Sequence, residues 1–391
     1  MSKNRGRAMK NPSNKTASHE INRRRFLHLT AAAVAAPAII GKAPAASAKQ
    51  AFAGEELSVM VWSGNYEDAF RTAIVSPFNE KFGTKATTLG GWDQIVSTIK
   101  AAPADDPPFD VTVMEEMAAA SGVSENLFAK TDLSKIKNLS AVQPWYFSTR
   151  AKEYDGYGVP FGLGFELPLM NTDQTGHLPL SWKTLWDPSL VGKLALDGSS
   201  FFYLLAATAL AHGAKPGLGE LYDWRPGMTP DPLFQKIEEL RPAKWYHDGA
   251  ELSFVMMQDQ AAFAQIYSSD AFGLLRDGGP SFKAGIPDDG TVAYGEWYVK
   301  VRGTKHDELS DVFLDYILEK ETQDRFLAIT MSVVSRRDVT IPPHWKGYPV
   351  TNDDLARRIN LIPIEGWKEL QSRYGDFDAR FKEALLKTSK G

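Results

Sequence analysis

The amino-acid sequence predicts an α/β protein of two lobes. A strand, helix, strand run opens the folded part of the chain, and a second run of the same kind begins about a hundred residues later. Size agrees with this. Once a removable leader is set aside, about 343 of the 391 residues remain, too many for one simple core and comfortable for two.

The leader is Met1–Ala48. A basic, polar start runs into Arg23, Arg24 and Arg25, followed at once by Phe26 and Leu27. The apolar run Leu29–Ile40 is about a dozen residues, well short of the roughly 20 that span a bilayer. Paired arginines before Phe-Leu and a mild, alanine-rich segment resemble a twin-arginine export signal, and Ala46-Ser47-Ala48 supplies the small-x-small cleavage site. The sequence has no cysteine, so no lipid can be attached at the cleavage point and no disulfide can form. The mature chain is therefore expected to pass folded through the twin-arginine translocase and to stay in the bacterial periplasm as a soluble monomer. Cleavage removes nine of 44 basic and one of 48 acidic residues, leaving a formal charge near −12. That balance disfavours nucleic acid as a partner and mildly favours cationic ligands.

After the leader, Glu56–Trp62 ("ELSVMVW") reads as the first strand. Phe70, Ile74, Phe78 and Phe82 recur at four-residue spacing, which is helical, although Pro77 disturbs the run. "WDQIVSTIKAA" reads as a second helix and Phe109–Met114 as a second strand, which opens a lobe with a parallel sheet. Further on, "KLALD" (Lys193–Asp197) is strand-like, and "SSFFYLLAATALAHGA" is a helix with Ser199 or Ser200 as its cap and Gly213 as its terminator. "AAFAQIY" and "FKAGIP" follow as strands, then "VAYGEWYVKV" (Val292–Val301). "DELSDVFLDYILEKETQDRFLAITM" reads as one amphipathic helix, with Leu309, Val312, Phe313, Tyr316 and Ile317 on one face, and Ile364–Leu386 as a terminal helix.

No strong catalytic signature is present. The sequence lacks a GxSxG elbow, an HExxH pair, a GxxxxGK[ST] loop and a Gly-rich dinucleotide fingerprint. None of the five histidines of the mature chain, His177, His212, His247, His306 and His344, sits at metal-ligand spacing from another. A binding protein without catalytic residues, metal or cofactor is the expectation. A secreted hydrolase using two acids that meet in space is a distant alternative.

Four stretches together resemble the extracellular solute-binding proteins of ABC importers, in the branch of the spermidine/putrescine-binding proteins. They are "YGVPFGLGFELPLMNTD", "SWKTLWDPSLVGKLALDGSS", "FAQIYSSDAF" and "AGIPDDGTVAYGEWYVKV". The resemblance covers the chain from about Glu56 to its end. It implies a type II-like periplasmic binding protein fold, with lobe 1 formed by residues 55–165 and 294–340 and lobe 2 by residues 166–293 and 341–391. It also implies a solute held in the cleft between lobes, hinge closure and delivery to a membrane permease.

In "VAYGEWYVKV" a glutamate stands among aromatic rings. Tyr294-Gly295-Glu296 falls where the family's polyamine binders carry an aromatic, one residue, and an acid that takes an amine, and a wet cleft is expected to keep Glu296 ionised. An ammonium between aromatic faces gains roughly 0.5–2 kcal/mol per ring, and a carboxylate adds a charge-assisted hydrogen bond. The other expected wall residues are Trp62, Tyr66, Trp92, Phe161, Tyr267 and Asp270, with Glu115 or Glu116 at a strand end. Glu166 reads as a hinge residue bonded to backbone. An amine-bearing solute, a polyamine such as putrescine or spermidine first, is the expected ligand. One departure favours a rival: where polyamine binders place further acids, this chain has Gly198, Ser199 and Ser200. Serines at a helix start suit an anionic group, so Ser199 is a candidate for a zwitterionic or anionic solute such as an amino acid, a betaine or an aminophosphonate.

Overall fold

A computed structural model describes residues 51–92, 94–148, 155–214, 231–276, 281–330, 332–340, 359–361, 370 and 372–388. The leader Met1–Ala48 and most of the stretch 341–369 lie outside the described residues. Among the described residues the strands are β1 (Glu56–Trp62), β2 (Lys85–Gly91), β3 (Val111–Met114), β4 (Phe128–Ala129), β5 (Val159–Asn171), β6 (Leu194–Asp197), β7 (Lys244–Tyr246), β8 (Phe263–Tyr267), β9 (Phe282–Ala284), β10 (Thr291–Val301), β11 (Val333–Val334) and β12 (Ile359–Leu361).

Their order is β2-β1-β3-β10-β5-β8-β6-β7, with β4 and β12 on β10, and β9 and β11 on β5. β1 runs parallel to β2 and β3, and β6 runs parallel to β7 and β8. Between these parallel blocks lie the long antiparallel strands β5 and β10. β5 changes partner along its length: Gly162–Phe165 pair with β10, and Glu166–Met170 pair with β8. Both strands are buried along every residue, as strands covered on both faces must be.

The helical stretch from Asn65 to Phe82 absorbs its proline in a specific way. An α-helix, Asn65–Phe70, widens into a π-helical turn, Arg71–Val75, and resumes as Ser76–Phe82 with Pro77 in its first turn. Proline lacks an N–H and crowds the carbonyl four residues back, and the wider turn just before Pro77 relieves that crowding. The expected single helix after β10 is two, Asp307–Tyr316 and Lys320–Thr330. Tyr316, Ile317 and Leu318 are all buried, and three consecutive side chains cannot share one helical face, so the chain turns there to bury them. The terminal helix is described over Tyr374–Thr388.

Two apolar clusters form the interior. The first is aromatic at its centre: Phe70 stacks on Tyr298 with centroids 5.1 Å apart, and Phe161 meets Phe326 edge-on at 5.1 Å. The second surrounds the helix Phe201–Ala211, which is buried on every side from Phe201 to Leu210 and packs with Trp182, Phe377 and Phe381. Ser200 occupies the cap position of that helix without a side-chain capping bond.

Where β5 meets β10 the register slips by one between Glu296 and Trp297, which leaves Phe161 as the extra residue of a β-bulge. Beside it, two glycines make room for β10 side chains. A Cβ on Gly164 would lie 2.0 Å from the ring of Tyr294, and one on Gly162 would lie 3.1 Å from Glu296 Oε2 and 2.8 Å from the Val333 carbonyl. Gly164→Ala is therefore expected to destabilise the protein by about 1–3 kcal/mol in urea titration, the usual range for overpacking. Gly375→Ala, in the terminal helix with nothing within 4 Å, is expected to be neutral or stabilising by up to about 1 kcal/mol.

Candidate functional site

The parallel strands of both blocks end on one cavity. Trp62 closes β1, Trp92 follows β2 and Glu115 follows β3. From the other side, Tyr267 closes β8, Asp270 sits in the first turn of the helix Ser268–Arg276, and Ser200 precedes the helix Phe201–Ala211. Crevices beyond the carboxyl ends of parallel strands are the general ligand position of α/β folds. Ser63, Tyr66, Ile95, Val96, Met114, Tyr203, Ser269, Tyr294 and Tyr374 complete the lining, around a cavity of about 120 Å³.

The wall is an aromatic cage. Tyr267 stands edge-on to Trp92 at 5.2 Å and to Tyr203 at 5.5 Å, and Tyr294 lies 5.4 Å from Tyr203 and 6.0 Å from Tyr267. Edge-to-face packing of this kind fixes ring orientation and leaves ring faces for a ligand. Among the described residues Glu115 and Asp270 are the acids of the wall, and no lysine, arginine or histidine lines it.

Seven of the ten expected residues line this cavity: Trp62, Tyr66, Trp92, Glu115, Tyr267, Asp270 and Tyr294. Three do not. Phe161 is the bulged residue of β5 and packs its ring among Phe70, Tyr298 and Phe326, with no exposure. Ser199 turns back on its own strand end, its N–H and hydroxyl both donating to Asp197 Oδ1, at 2.7 and 2.6 Å. Glu296 lies one layer behind the wall, where Tyr66 donates its hydroxyl to Oε2 at 3.1 Å. Residues two apart on a strand are separated by about 6.8 Å, so Tyr294 reaches the cavity while Glu296 lies farther along β10. Ser63 and Ser269 adjoin expected residues and were legible as neighbours. Tyr374 comes from the terminal helix and has no local motif. The side chain of Glu116 is outside the described set, and among the described residues no three His, Asp or Glu side chains converge as a metal site.

Burial governs the acids. Glu296 is only 4% exposed, and loss of solvent pushes its carboxyl up to about 7, with Tyr66 and Trp62 pulling the other way. The expectation of a wet, ordinarily ionised Glu296 is thus corrected. Asp270 is likewise pushed to about 7, by burial first and then by the charge of Asp248. Its Oδ1 has no hydrogen-bond partner among the described residues. Asp197 is raised by burial and held back by Ser199 and Tyr267.

The chain belongs to the bacterial extracellular solute-binding proteins, whose family model matches residues 73–350. This agrees with the resemblance read from the sequence. Among solved structures it is similar to the periplasmic binding protein AgtB of A. tumefaciens R10 in complex with agropinic acid, with TM-score 0.70, 18% identity, and 85% of this chain and 99% of that one covered. It is also similar to a spermidine/putrescine ABC transporter protein from Listeria monocytogenes (TM-score 0.69, 19% identity, 84% and 99% covered). A GABA receptor is a third (TM-score 0.66, 18% identity, 84% and 97% covered). At these identities the likeness is one of fold, that of the two-lobed periplasmic binding proteins. No curated protein matches the chain in sequence. No helix among the described residues is long and apolar enough to cross a membrane.

The buried acids make a prediction that needs no ligand. A carboxyl whose folded value is raised binds more protons in the folded than in the unfolded state, so stability falls as pH rises from its unfolded value through its folded one. For Glu296 that window runs from 4.5 to about 7, and at 1.36 kcal/mol per pH unit the loss is about 3 kcal/mol. Glu296→Gln is expected to match the parent at pH 5 and to exceed it by up to about 3 kcal/mol at pH 8 in urea titrations. An equal difference at both pH values would contradict the assignment.

Proposed function

We propose that this protein is the solute-binding component of an ABC importer, that its leader directs twin-arginine export to the periplasm, and that it captures a small amine-bearing solute. Residues 55–165 with 294–340 and residues 166–293 with 341–391 act as the two lobes, β5 and β10 as the crossings about which they close, and a membrane permease receives the closed complex. One observation carries the choice of solute: among the described residues the cavity wall is aromatic, bears Glu115 and Asp270, and holds no basic residue. An ammonium against Tyr267 or Tyr294 gains from the ring quadrupole, by up to about 2 kcal/mol when desolvated, and a carboxylate hydrogen bond is stronger still for being charged. An anion beside Glu115 or Asp270 would meet like charge.

Because Glu115 approaches from the β1–β3 side and Asp270 from the β8 side, each can take one end of a short diamine, which supports a polyamine such as putrescine over a monoamine. The spermidine/putrescine protein from Listeria monocytogenes shares the fold and lends this reading support of the same kind. A second reading rests on Ser200, which reaches the cavity at a helix start without capping it and could receive the anionic end of a zwitterion such as 4-aminobutyrate.

A thermal-shift panel of putrescine, spermidine, betaine, 4-aminobutyrate and 2-aminoethylphosphonate separates these readings. Ligand stabilisation is about 2.7 kcal/mol at a hundredfold excess over Kd. Putrescine and spermidine are expected to stabilise the protein, and Asp270→Asn is expected to weaken that response by tenfold or more in Kd. Stabilisation by the zwitterions alone would transfer the assignment to the second reading, and hydrolytic turnover of any substrate by the purified protein would favour a hydrolase over both.

A further inference from the structure

Glu166 stands where β5 leaves one partner strand for another, directly opposite Tyr267 of β8. Its backbone is fixed, because the Thr291 hydroxyl donates to its carbonyl. Its side chain is wholly buried, yet neither carboxyl oxygen has a hydrogen-bond partner among the described residues, and neither does the side-chain amide of Gln265 two residues before Tyr267. The expected backbone bond to this carboxyl is absent there. In an antiparallel pair, directly opposed residues project from the same face, so Glu166 and Gln265 share the side of the sheet from which Tyr267 reaches the cavity.

The groups that face Glu166 bring no positive charge. Asp197 from β6 and Asp270 from the helix Ser268–Arg276 are the acids whose charge acts on it, and Tyr246, Tyr267 and Tyr294 present hydroxyls from β7, β8 and β10. Tyr267 donates its hydroxyl to Asp197 Oδ2 at 3.1 Å, and Tyr246 donates to the Gln265 carbonyl at 2.9 Å. The buried base among the described residues, Lys300, is committed to Asp307 and Asp311 at 2.7 Å each. An unpaired carboxylate in such surroundings gives up its charge by keeping its proton. Burial, and after it the negative charge of Asp197, accordingly hold Glu166 well above the usual carboxylate range, with the nearby Gln265 amide softening the effect.

We infer that Glu166 exchanges its proton for the positive charge of the solute, and so sets the charge preference of the cavity from behind its wall. This rests on the amine reading of the site. When an ammonium settles against Tyr267, the O–H bond of the Glu166 carboxyl breaks, the proton passes to the buffer, and the carboxylate left behind faces the cation across the ring. A neutral or anionic solute brings no charge to stabilise the carboxylate, and the proton stays. Glu166 acts without touching the ligand, as a positioning residue for charge. Linkage makes the exchange reciprocal: if the cation favours the ionised form by one pH unit, ionisation strengthens cation binding tenfold.

Titration calorimetry of the mature protein with putrescine at pH 8, in phosphate and in Tris, counts the protons released from the dependence of heat on buffer ionisation enthalpy. At pH 8 Glu296 and Asp270, both near 7, are mostly ionised already, so their share is small. The parent is expected to release a substantial fraction of one proton per putrescine, and its Kd is expected to fall as pH rises from 6 to 8. Glu166→Gln is expected to abolish most of the release and to weaken putrescine binding on the order of tenfold. Glu296→Gln is expected to leave the release at pH 8 unchanged. Putrescine binding with no buffer dependence in the parent would overturn the inference and leave the amine reading intact. If no amine bound at all, the amine reading would fail and this inference with it. Should Glu166→Gln fail to fold, the buffer dependence of the parent at pH 8 decides alone, because Asp270, near 7, also titrates between pH 6 and 8.

Discussion

The antiparallel pairing of β5 with β10 is the interaction on which the rest of the structure depends. Both strands are buried throughout, and between them they join a parallel block that begins at β2 to one that ends at β7. Their contact is close because two glycines of β5 carry no side chain. Gly164 admits the Tyr294 ring to the cavity wall, and Gly162 leaves space for the Glu296 carboxyl behind it. The bulge at Phe161 then shifts the pairing of the two strands, so that Trp297 and Tyr298 pack into the interior while Tyr294 faces the ligand space. A single strand pair thus positions one wall of the cage and the acid beneath it.

Around that pair the structure tolerates an imbalance of charge. Asp110 shows what a satisfied buried acid looks like: it accepts from the Ser58 N–H and hydroxyl and from the Thr304 hydroxyl, at 2.8, 2.7 and 2.6 Å. Glu296 takes one hydrogen bond, from Tyr66, and the Glu166 carboxyl takes none among the described residues. Buried acids left short of partners cost stability, and such costs concentrate where a protein binds something. On the proposed amine reading, a solute carrying positive charge would supply what the described protein groups do not.

Much of this was legible in the sequence, and the remainder has physical reasons for being hidden. Glu56–Trp62 and Val292–Val301 read as strands because local alternation and β-branched or aromatic residues mark them, and the wall residues Trp62 and Glu115 could be named because they sit at or just past strand ends. Tyr267 was named through the family resemblance, and the strand Lys85–Gly91 that places Trp92 was not read. Glu296 was read one layer too shallow. Its neighbours in sequence are aromatic, but how far a strand residue lies from a cavity depends on the position of the strand, which no local pattern reports. Phe161 was misread for a related cause, since a bulge is a property of two strands and only one is visible locally. Ser199 was read as a helix start open to an anionic group, but Ser200 holds the cap position and Ser199 spends its donors on Asp197. Glu166 looked like an ordinary hinge residue because its lack of partners follows from Asp197, Gln265 and Asp270, residues 31 to 104 positions away.

The most direct test of the account is the position of a bound diamine in a crystal structure of the mature protein with putrescine. The account predicts one ammonium within about 3.2 Å of an Asp270 or Glu115 carboxylate oxygen, and within about 6 Å of the Tyr267 or Tyr294 ring centroid. Density for the diamine elsewhere on the protein, with these acids and rings unengaged, would contradict it.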